Sequence, residues 1–217
     1  KIDAWDDLVE MLNNDLFHVN SRKKLGDAHP FFGNTALYSR HVLNIAAEAG
    51  KLDIVKLILS KNDVDVNVRS SVDASHANSH LTIGGNYYLN MTPVWVAMHK
   101  RHEKVLRLLL SDERVDVNVI CRTRDDATNI LTEAISRVAY DKKYLDMVKI
   151  LVECDRIDVN SPVDDEHFSP LGRAKFHETQ KYRSNDPDVD DMPMTTKLCQ
   201  IIVSAKNFDP NFLFEND

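Results

Sequence analysis

The chain has 217 residues, of which 43% are hydrophobic and 28% charged, with a formal net charge of −7. That length bounds it to one large domain or a short array of repeated units, and the composition is ordinary for a folded protein. The acidic balance excludes an all-round nucleic-acid binder, which needs clustered Lys and Arg for phosphate contacts, and no run approaches the roughly 18 consecutive apolar residues that cross a bilayer.

Three cysteines, Cys121, Cys154 and Cys199, show no paired spacing and cannot form a complete disulfide set. A reducing, intracellular compartment such as the cytoplasm is therefore expected. The opening "KIDAWDDLVE" carries no apolar signal segment and no initiating Met, so the chain is expected to be a piece of a longer protein.

In chain order, the first helical candidate is "DLVEML" (7–12), closed by "LFHVN" ending at Asn20, after which a long connection runs from Ser21 to Arg40. Two helices are predicted next, over "HVLNIAAEAG" (41–50) and "LDIVKLIL" (52–59), closed by "NDVDVN" ending at Asn67. A second long connection, Val68 to Met91, holds Gly84-Gly85, which is expected to turn a hairpin between "HLTI" and "NYYLN". "TPVWVAMHKR" (92–101) and "EKVLRLLL" (103–110) follow, closed by "ERVDVN" ending at Asn118. Then come "NILTEAISRV" (129–138), a widening around Tyr140–Tyr144, "LDMVKILV" (145–152), and "DRIDVN" ending at Asn160. The last pair is "SPLGRAKFHE" (169–178) and "TKLCQIIV" (196–203), closed by "KNFDPN" ending at Asn211. Between its helices lies "ETQKYRSNDPDVDDMPMT" (178–195), whose proline and acid content points to a mobile loop. In the final stretch, Phe208, Phe212, Leu213 and Phe214 are too apolar for a free tail. They are expected to cover the last open face or to meet a following domain.

The closing phrase exposes a repeat. From Asn67 through Asn118 and Asn160 to Asn211 the steps are 51, 42 and 51 residues, and Asn20 adds a step of 47. Upstream of each Asn lies an outer helix with one apolar side, such as Val105, Leu106, Leu108, Leu109 and Leu110, with Lys104 and Arg107 left for water. Further upstream lies an inner helix with an alanine at one fixed place: Ala46, Ala97, Ala134 and Ala174. Thr92-Pro93 and Ser169-Pro170 are good helix openers. Two helices of about ten residues cannot bury their apolar faces alone, so the units must stack. In this arrangement the phrase is scaffold: Val plugs the apolar layer while Asp and Asn bond to the turning backbone.

These units resemble ankyrin repeats. Thr92-Pro93-Val94 with Ala97, and Ser169-Pro170-Leu171 with Ala174, match the family's opening. Ala46-Ala47-Glu48-Ala49-Gly50 matches its helix–turn portion, and Asp65-Val66-Asn67, Asp116-Val117-Asn118 and Asp158-Val159-Asn160 match its close. The family's His position is held instead by Asn44, Trp95, Thr132 and Gly172, and every step exceeds the usual 33 residues or so. The resemblance implies an all-α ankyrin-repeat solenoid of stacked helix pairs, with β-hairpin or loop fingers. It forms a single domain of approximate units 1–20 (partial), 35–67, 88–118, 125–160 and 165–211. Trp95, at the family's His position, is expected to pack between units.

Residues able to do chemistry are few. Cys199 falls in the apolar face of the last helix and is expected as a buried structural thiol. Cys154 lies beside Asp155, whose charge opposes thiolate formation, and Cys121 has no His near it in sequence. His76 and His80 in "HANSH" have a spacing that joins imidazoles only on a helix, while the segment reads as loop. No HExxH occurs, and "IGGNYY" (83–88) lacks the Lys-Ser/Thr ending of a phosphate loop. The acid clusters Asp125-Asp126, Asp164-Asp165-Glu166 and Asp188-Asp190-Asp191 lack the twelve-residue calcium pattern. No enzyme, no metal and no cofactor is expected.

What the resemblance implies instead is a non-catalytic module that binds another protein on its concave groove and finger loops, with no nucleic acid and no membrane, acting as a monomer. Carried over by position, the partner-binding residues are Tyr38, Arg40 and Glu48 in the second unit and Tyr88, Met91, His99 and Lys100 in the third. Asp126 and Arg137 belong to the fourth, and Phe168, Phe176 and His177 to the last. Tyr side chains near finger tips suit this role, because they bury a large area and keep a polar handle. The alternative is the targeting or substrate-recruiting part of a larger enzyme, or of a bacterial or protist effector acting in a host cytosol, whose active domain lies outside this chain.

Overall fold

Apolar residues three and four apart dictate helices here, and a computed structural model places them in pairs. It describes residues 4–14, 19–20, 38–39, 41–69, 71–72, 82–83, 86–87, 91–122, 127–161, 169–181 and 194–211. α1 (Ala4–Asn13) opens the series. α2 (Val42–Glu48) pairs with α3 (Leu52–Leu59), and α4 (Pro93–His99) with α5 (Glu103–Ser111). α6 (Ile130–Val138) pairs with α7 (Tyr144–Val152), and α8 (Pro170–Lys181) with α9 (Met194–Val203). The prolines at 93 and 170 stand at the first positions of α4 and α8, as the sequence predicts. One expectation needs correction. α8 runs on to Lys181 and α9 starts at Met194, both inside the stretch read as a mobile loop. Gln180 and Lys181 are good helix formers, and no proline intervenes before Pro187. The rest of that stretch, 182–193, lies outside the described residues.

Short antiparallel ladders mark the fingers. β1 (Tyr38–Ser39) pairs with β2 (Ser71–Val72), Tyr38 opposite Val72, so the segment before α2 meets the segment after Asn67. β3 (Thr82–Ile83) pairs with β4 (Asn86–Tyr87) on either side of Gly84-Gly85, the hairpin the sequence predicts. β5 (Cys121–Arg122) pairs with β6 (Ala127–Thr128).

The chain divides into two units, Lys1–Asp116 and Val117–Asp217. In the first, inner helices α2 and α4 pack together, while outer helix α3 touches both α1 and α5. In the second, α6 packs on α8 and α7 on α9. Ala46, Ala97, Ala134 and Ala174 are fully buried, and their small side chains let inner helices approach closely. The first unit's core holds Leu43, Ile58, Trp95, Met98, Leu106 and Leu109; the second's holds Ile130, Leu131, Ile135 and Met147. α5 follows its pattern, with Val105, Leu106, Leu109 and Leu110 buried, Leu108 half-buried, and Lys104 and Arg107 exposed.

Along the recurring phrase buried and less buried residues alternate. Val64, Val66 and Val68 are buried, as are Val115, Val117, Val119, Ile157 and Val159. The acids between them cap their own turns: Asn67 N–H donates to Asp65 Oδ1 at 3.0 Å and Asn160 N–H to Asp158 Oδ1 at 2.9 Å. The asparagines do something the sequence reading assigned to the local turn. Each one reaches into the next repeat. In the first unit, Asn20 donates to the Asp63 carbonyl and accepts from the Asp65 N–H at 2.7 Å. There too, Asn67 donates to the Arg114 carbonyl at 2.9 Å and accepts from the Asp116 N–H at 2.7 Å. In the second unit, Asn118 holds the Arg156 carbonyl and Asp158 N–H, both at 2.8 Å. Asn160 likewise holds the Asn207 carbonyl at 2.8 Å and the Asp209 N–H at 2.9 Å. A side-chain amide offers a donor and an acceptor together, which matches the carbonyl and the N–H that each phrase presents two residues apart. These contacts are rungs of a ladder within each unit.

A second clamp works in the opposite direction. Arg114 reaches back to the Leu59 carbonyl at 2.7 Å and the Lys61 carbonyl at 3.4 Å, bringing a cation to the C-terminus of α3. Asp112 holds that guanidinium in place, 2.7 Å from Nη2. In the second unit Asn207 reaches back to the Ile157 carbonyl in the same way.

Candidate functional site

The ends of the inner helices carry the polar residues nearest to the predicted binding surface. Glu48 is the last residue of α2, and Lys100 caps the C-terminus of α4. Because α2 and α4 lie side by side, Glu48 Oε1 and Lys100 Nζ meet at 3.2 Å, with side chains 24% and 36% exposed. The two predicted contact residues thus form one half-exposed ion pair.

The turn beside them is tightly built. Gly50 takes a left-handed φ of 66°, which L side chains rarely adopt. The ring of His102 sits against it: His102 Cε1 and Nδ1 lie 2.7 Å from where a Cβ on residue 50 would stand. His102 Nε2 is 2.8 Å from the Glu48 carbonyl, which can only accept, so Nε2 carries the proton. Burial, and then the charge of Lys100, hold the ring's pKa below its ordinary 6.5. At the equivalent place in the third repeat, Arg101 takes the left-handed conformation without a glycine, at φ 57°.

Met91 and His99, predicted as partner contacts, are buried at 1% and 4% exposure. The reason is that α4 is sealed along its whole length, Pro93 through His99. His99 turns its ring to Trp95, centroids 5.6 Å apart, and Trp95 is itself fully buried. Only at Lys100 does this segment open to solvent. In the second unit, the Arg137 guanidinium pairs with Glu133 one helical turn earlier and lies 5.8 Å from the Tyr144 ring, so it packs α6 to α7 more than it faces outward. Tyr38 lies in β1, and Phe176 and His177 lie in α8, with side chains outside the described residues. Arg40, Tyr88, Asp126 and Phe168 lie outside the described residues altogether.

Tyr140, which the sequence reading treated as mere widening, is 91% exposed on the turn between α6 and α7. Helical periodicity says nothing about a side chain beyond the end of a helix, so no signal marked it.

Asn44, at the family's His position, donates to the Val68 carbonyl at 3.4 Å and so keeps a tie to the base of the finger. Asn129 caps α6 by accepting from the Thr132 N–H at 2.7 Å, and Ser169 caps α8 at Gly172 at 3.1 Å.

The three cysteines are free thiols. Cys121 is fully buried in β5, and Cys154 and Cys199 are half-buried, Cys199 less enclosed than the buried thiol the sequence predicts. Among the described residues, no group of three or more His, Cys, Asp and Glu could hold a metal, and no helix is long and apolar enough to cross a membrane. His76, His80 and the three acid clusters lie outside those residues.

A family comparison agrees with these repeated helix pairs. A family model described as ankyrin repeats, three copies, matches residues 43–163. No curated protein matches. Among solved structures, the crystal structure of EF0377, an ankyrin repeat protein, is similar over 93% of this chain and 92% of that one, at 18% identity and a TM-score of 0.45. The family match takes in α2 through α7 and the closing phrases at Asn67, Asn118 and Asn160, more than half of the sequence. The chain belongs to the ankyrin-repeat family.

Proposed function

We propose that this chain is a non-catalytic recognition module that holds another protein on its inner-helix ends and fingers. Ankyrin repeats are generally protein–protein interaction modules, and the family is typically non-catalytic. The observation that supports this reading is the Glu48–Lys100 pair. It is half-exposed at the rim of α2 and α4, directly above a sealed apolar core. A rim charge of this kind steers association and selects partners at little cost to folding. Tyr140 adds an exposed aromatic on the second unit, the residue type that carries much of the energy in interfaces. The finger residues Tyr38, Arg40 and Tyr88 in the first unit, and Asp126 and Phe168 with Phe176 and His177 on α8 in the second, are the further proposed contacts; Met91 and His99 drop out as core. The module works as a monomer with no cofactor, and its free cysteines support a reducing, cytoplasmic setting.

The test is partner capture by the parent and by the Lys100→Glu and Tyr88→Ala variants, each checked for thermal unfolding. Both substitutions are expected to reduce capture while stability stays within about 0.5 kcal/mol, the usual range for surface changes. Undiminished capture by both would contradict the proposed surface.

A further inference from the structure

One position in each repeat directly precedes the outer apolar run. Lys51, His102, Tyr144 and Thr195 occupy it in the four helix pairs. They solve the same packing problem differently. Lys51 places its ammonium 5.5 Å from the Trp5 ring, Tyr144 stands beside Arg137, and Thr195 is buried. Of the four residue types, only histidine ordinarily changes charge between about pH 5 and 8.

The His102 ring is held in one neutral tautomer by its surroundings. Nε2 donates to the Glu48 carbonyl, and Nδ1 faces Gly50, 2.7 Å from where a Cβ on that residue would stand. The side chain caps no backbone N–H of α5, and among the described residues Nδ1 has no hydrogen-bond partner. A second proton must therefore go onto Nδ1, placing a donor and a full charge on the face packed against Gly50. The charged groups around the ring do not favour this. From the preceding repeat, Glu48 is already engaged by Lys100, and Lys51 points to Trp5. From its own repeat Lys100 opposes a second charge on the ring, and Arg101 and Glu103 adjoin His102 in sequence with opposite signs.

We propose that this contact is a proton-sensitive joint: protonation of His102 loosens the packing of the third repeat on the second, inside the Lys1–Asp116 unit, as the pH falls below neutral. The direction follows from linkage. The ring's folded pKa lies below 6.5, so the unfolded chain takes up the proton first. The stability that the neutral ring contributes is present above pH 6.5 and is lost as pH falls from there through the folded value. One such group changes the opening constant by at most about tenfold per pH unit. The joint is one turn from the Glu48–Lys100 rim pair, so a loosened joint also disperses that pair.

The experiment is native-state hydrogen exchange on the full chain between about pH 7.5 and 5, corrected for intrinsic exchange, together with an NMR titration of the His102 ring. The probes are the Lys51 and His102 amides, bonded to the Ala46 and Ala97 carbonyls; the Tyr144 amide, bonded to Asp141, is the reference. The expected result is a ring titrating below 6.5 and an opening constant at both probes that rises up to about tenfold per pH unit, with the reference flat. His102→Gln retains an N–H toward Glu48 but cannot titrate, and it should abolish the rise. A ring titrating at or above 6.5, or a His102→Gln variant with the parent's slope, would overturn the proposal. Should that variant fail to fold, the ring titration in the parent decides.

Discussion

Asn67 accepts a hydrogen bond from the backbone N–H of Asp116 at 2.7 Å, although 49 residues separate them. The same amide donates to the Arg114 carbonyl, so one side chain grips the edge of the next repeat at two points. The phrase that keeps returning in the sequence is therefore a coupling device: its valines seal the layer, its acid shapes the turn, and its asparagine fastens one repeat to the next. Asn67→Ala should destabilise the first unit by about 1–3 kcal/mol, because two net hydrogen bonds of about 0.5–1.5 kcal/mol each are lost. Asn67→Asp should be at least as costly, since it keeps the acceptor but sets a carboxylate against the Arg114 carbonyl. Denaturant unfolding of both variants checks this; a parent-like midpoint for Asn67→Ala would show the rung to be idle.

Gly50→Ala should be worse than its size suggests. A left-handed alanine costs roughly 1–2 kcal/mol, and its Cβ would meet the His102 ring at 2.7 Å. Removing the ring as well, in Gly50→Ala with His102→Ala, should recover part of the loss, so the two changes are coupled and not additive. A double-mutant cycle of unfolding free energies gives the answer, and strict additivity would refute the contact.

Asp158 should set part of the acid limit of the second unit. Burial pushes its carboxyl pKa up, but hydrogen bonds from Ser161 and from the Asn160 N–H outweigh burial and leave it below the ordinary 3.8. Its contribution is then present above pH 3.8 and is lost as pH falls through the lower folded value. Asp158→Asn keeps an oxygen for the Asn160 and Ser161 N–H groups but does not titrate. Unfolding midpoints compared at about pH 5 and about pH 2.5 should fall less in the variant than in the parent; equal losses would assign the acid limit to other groups.

Leu109 is fully buried on α5, and Leu109→Ala should cost about 2–5 kcal/mol. Thermal or denaturant unfolding measures it. A cost below about 1 kcal/mol would mean that the apolar stripe is not the seam it is taken to be.

The helix pairs were legible because each outer helix carries its apolar residues at helical spacing and each inner helix its alanine at one offset. Ala46, Ala97, Ala134 and Ala174 are fully buried. The inward valines of the phrase were legible for a similar reason, since alternation has a period of two. The asparagine rungs were not. Their partners are backbone groups 38 to 49 residues away, and a backbone acceptor leaves no mark on residue type. Met91 and His99 were misplaced because transfer by position assumes that an inner helix keeps an open side, and α4 has none before Lys100. Arg137 looked like a surface cation because nothing in the sequence says that Glu133 and the Tyr144 ring take up its charge.

The separation of recognition from folding can be measured on a single purified partner, with affinity and unfolding free energy determined for the same protein samples. The account predicts that Lys100→Glu and Tyr88→Ala weaken affinity at least tenfold (about 1.4 kcal/mol) at unchanged stability, while Asn67→Ala loses stability and binds nearly as tightly wherever it remains folded. Affinity that tracks stability alone across all three variants, with no separate loss at the rim, would contradict it.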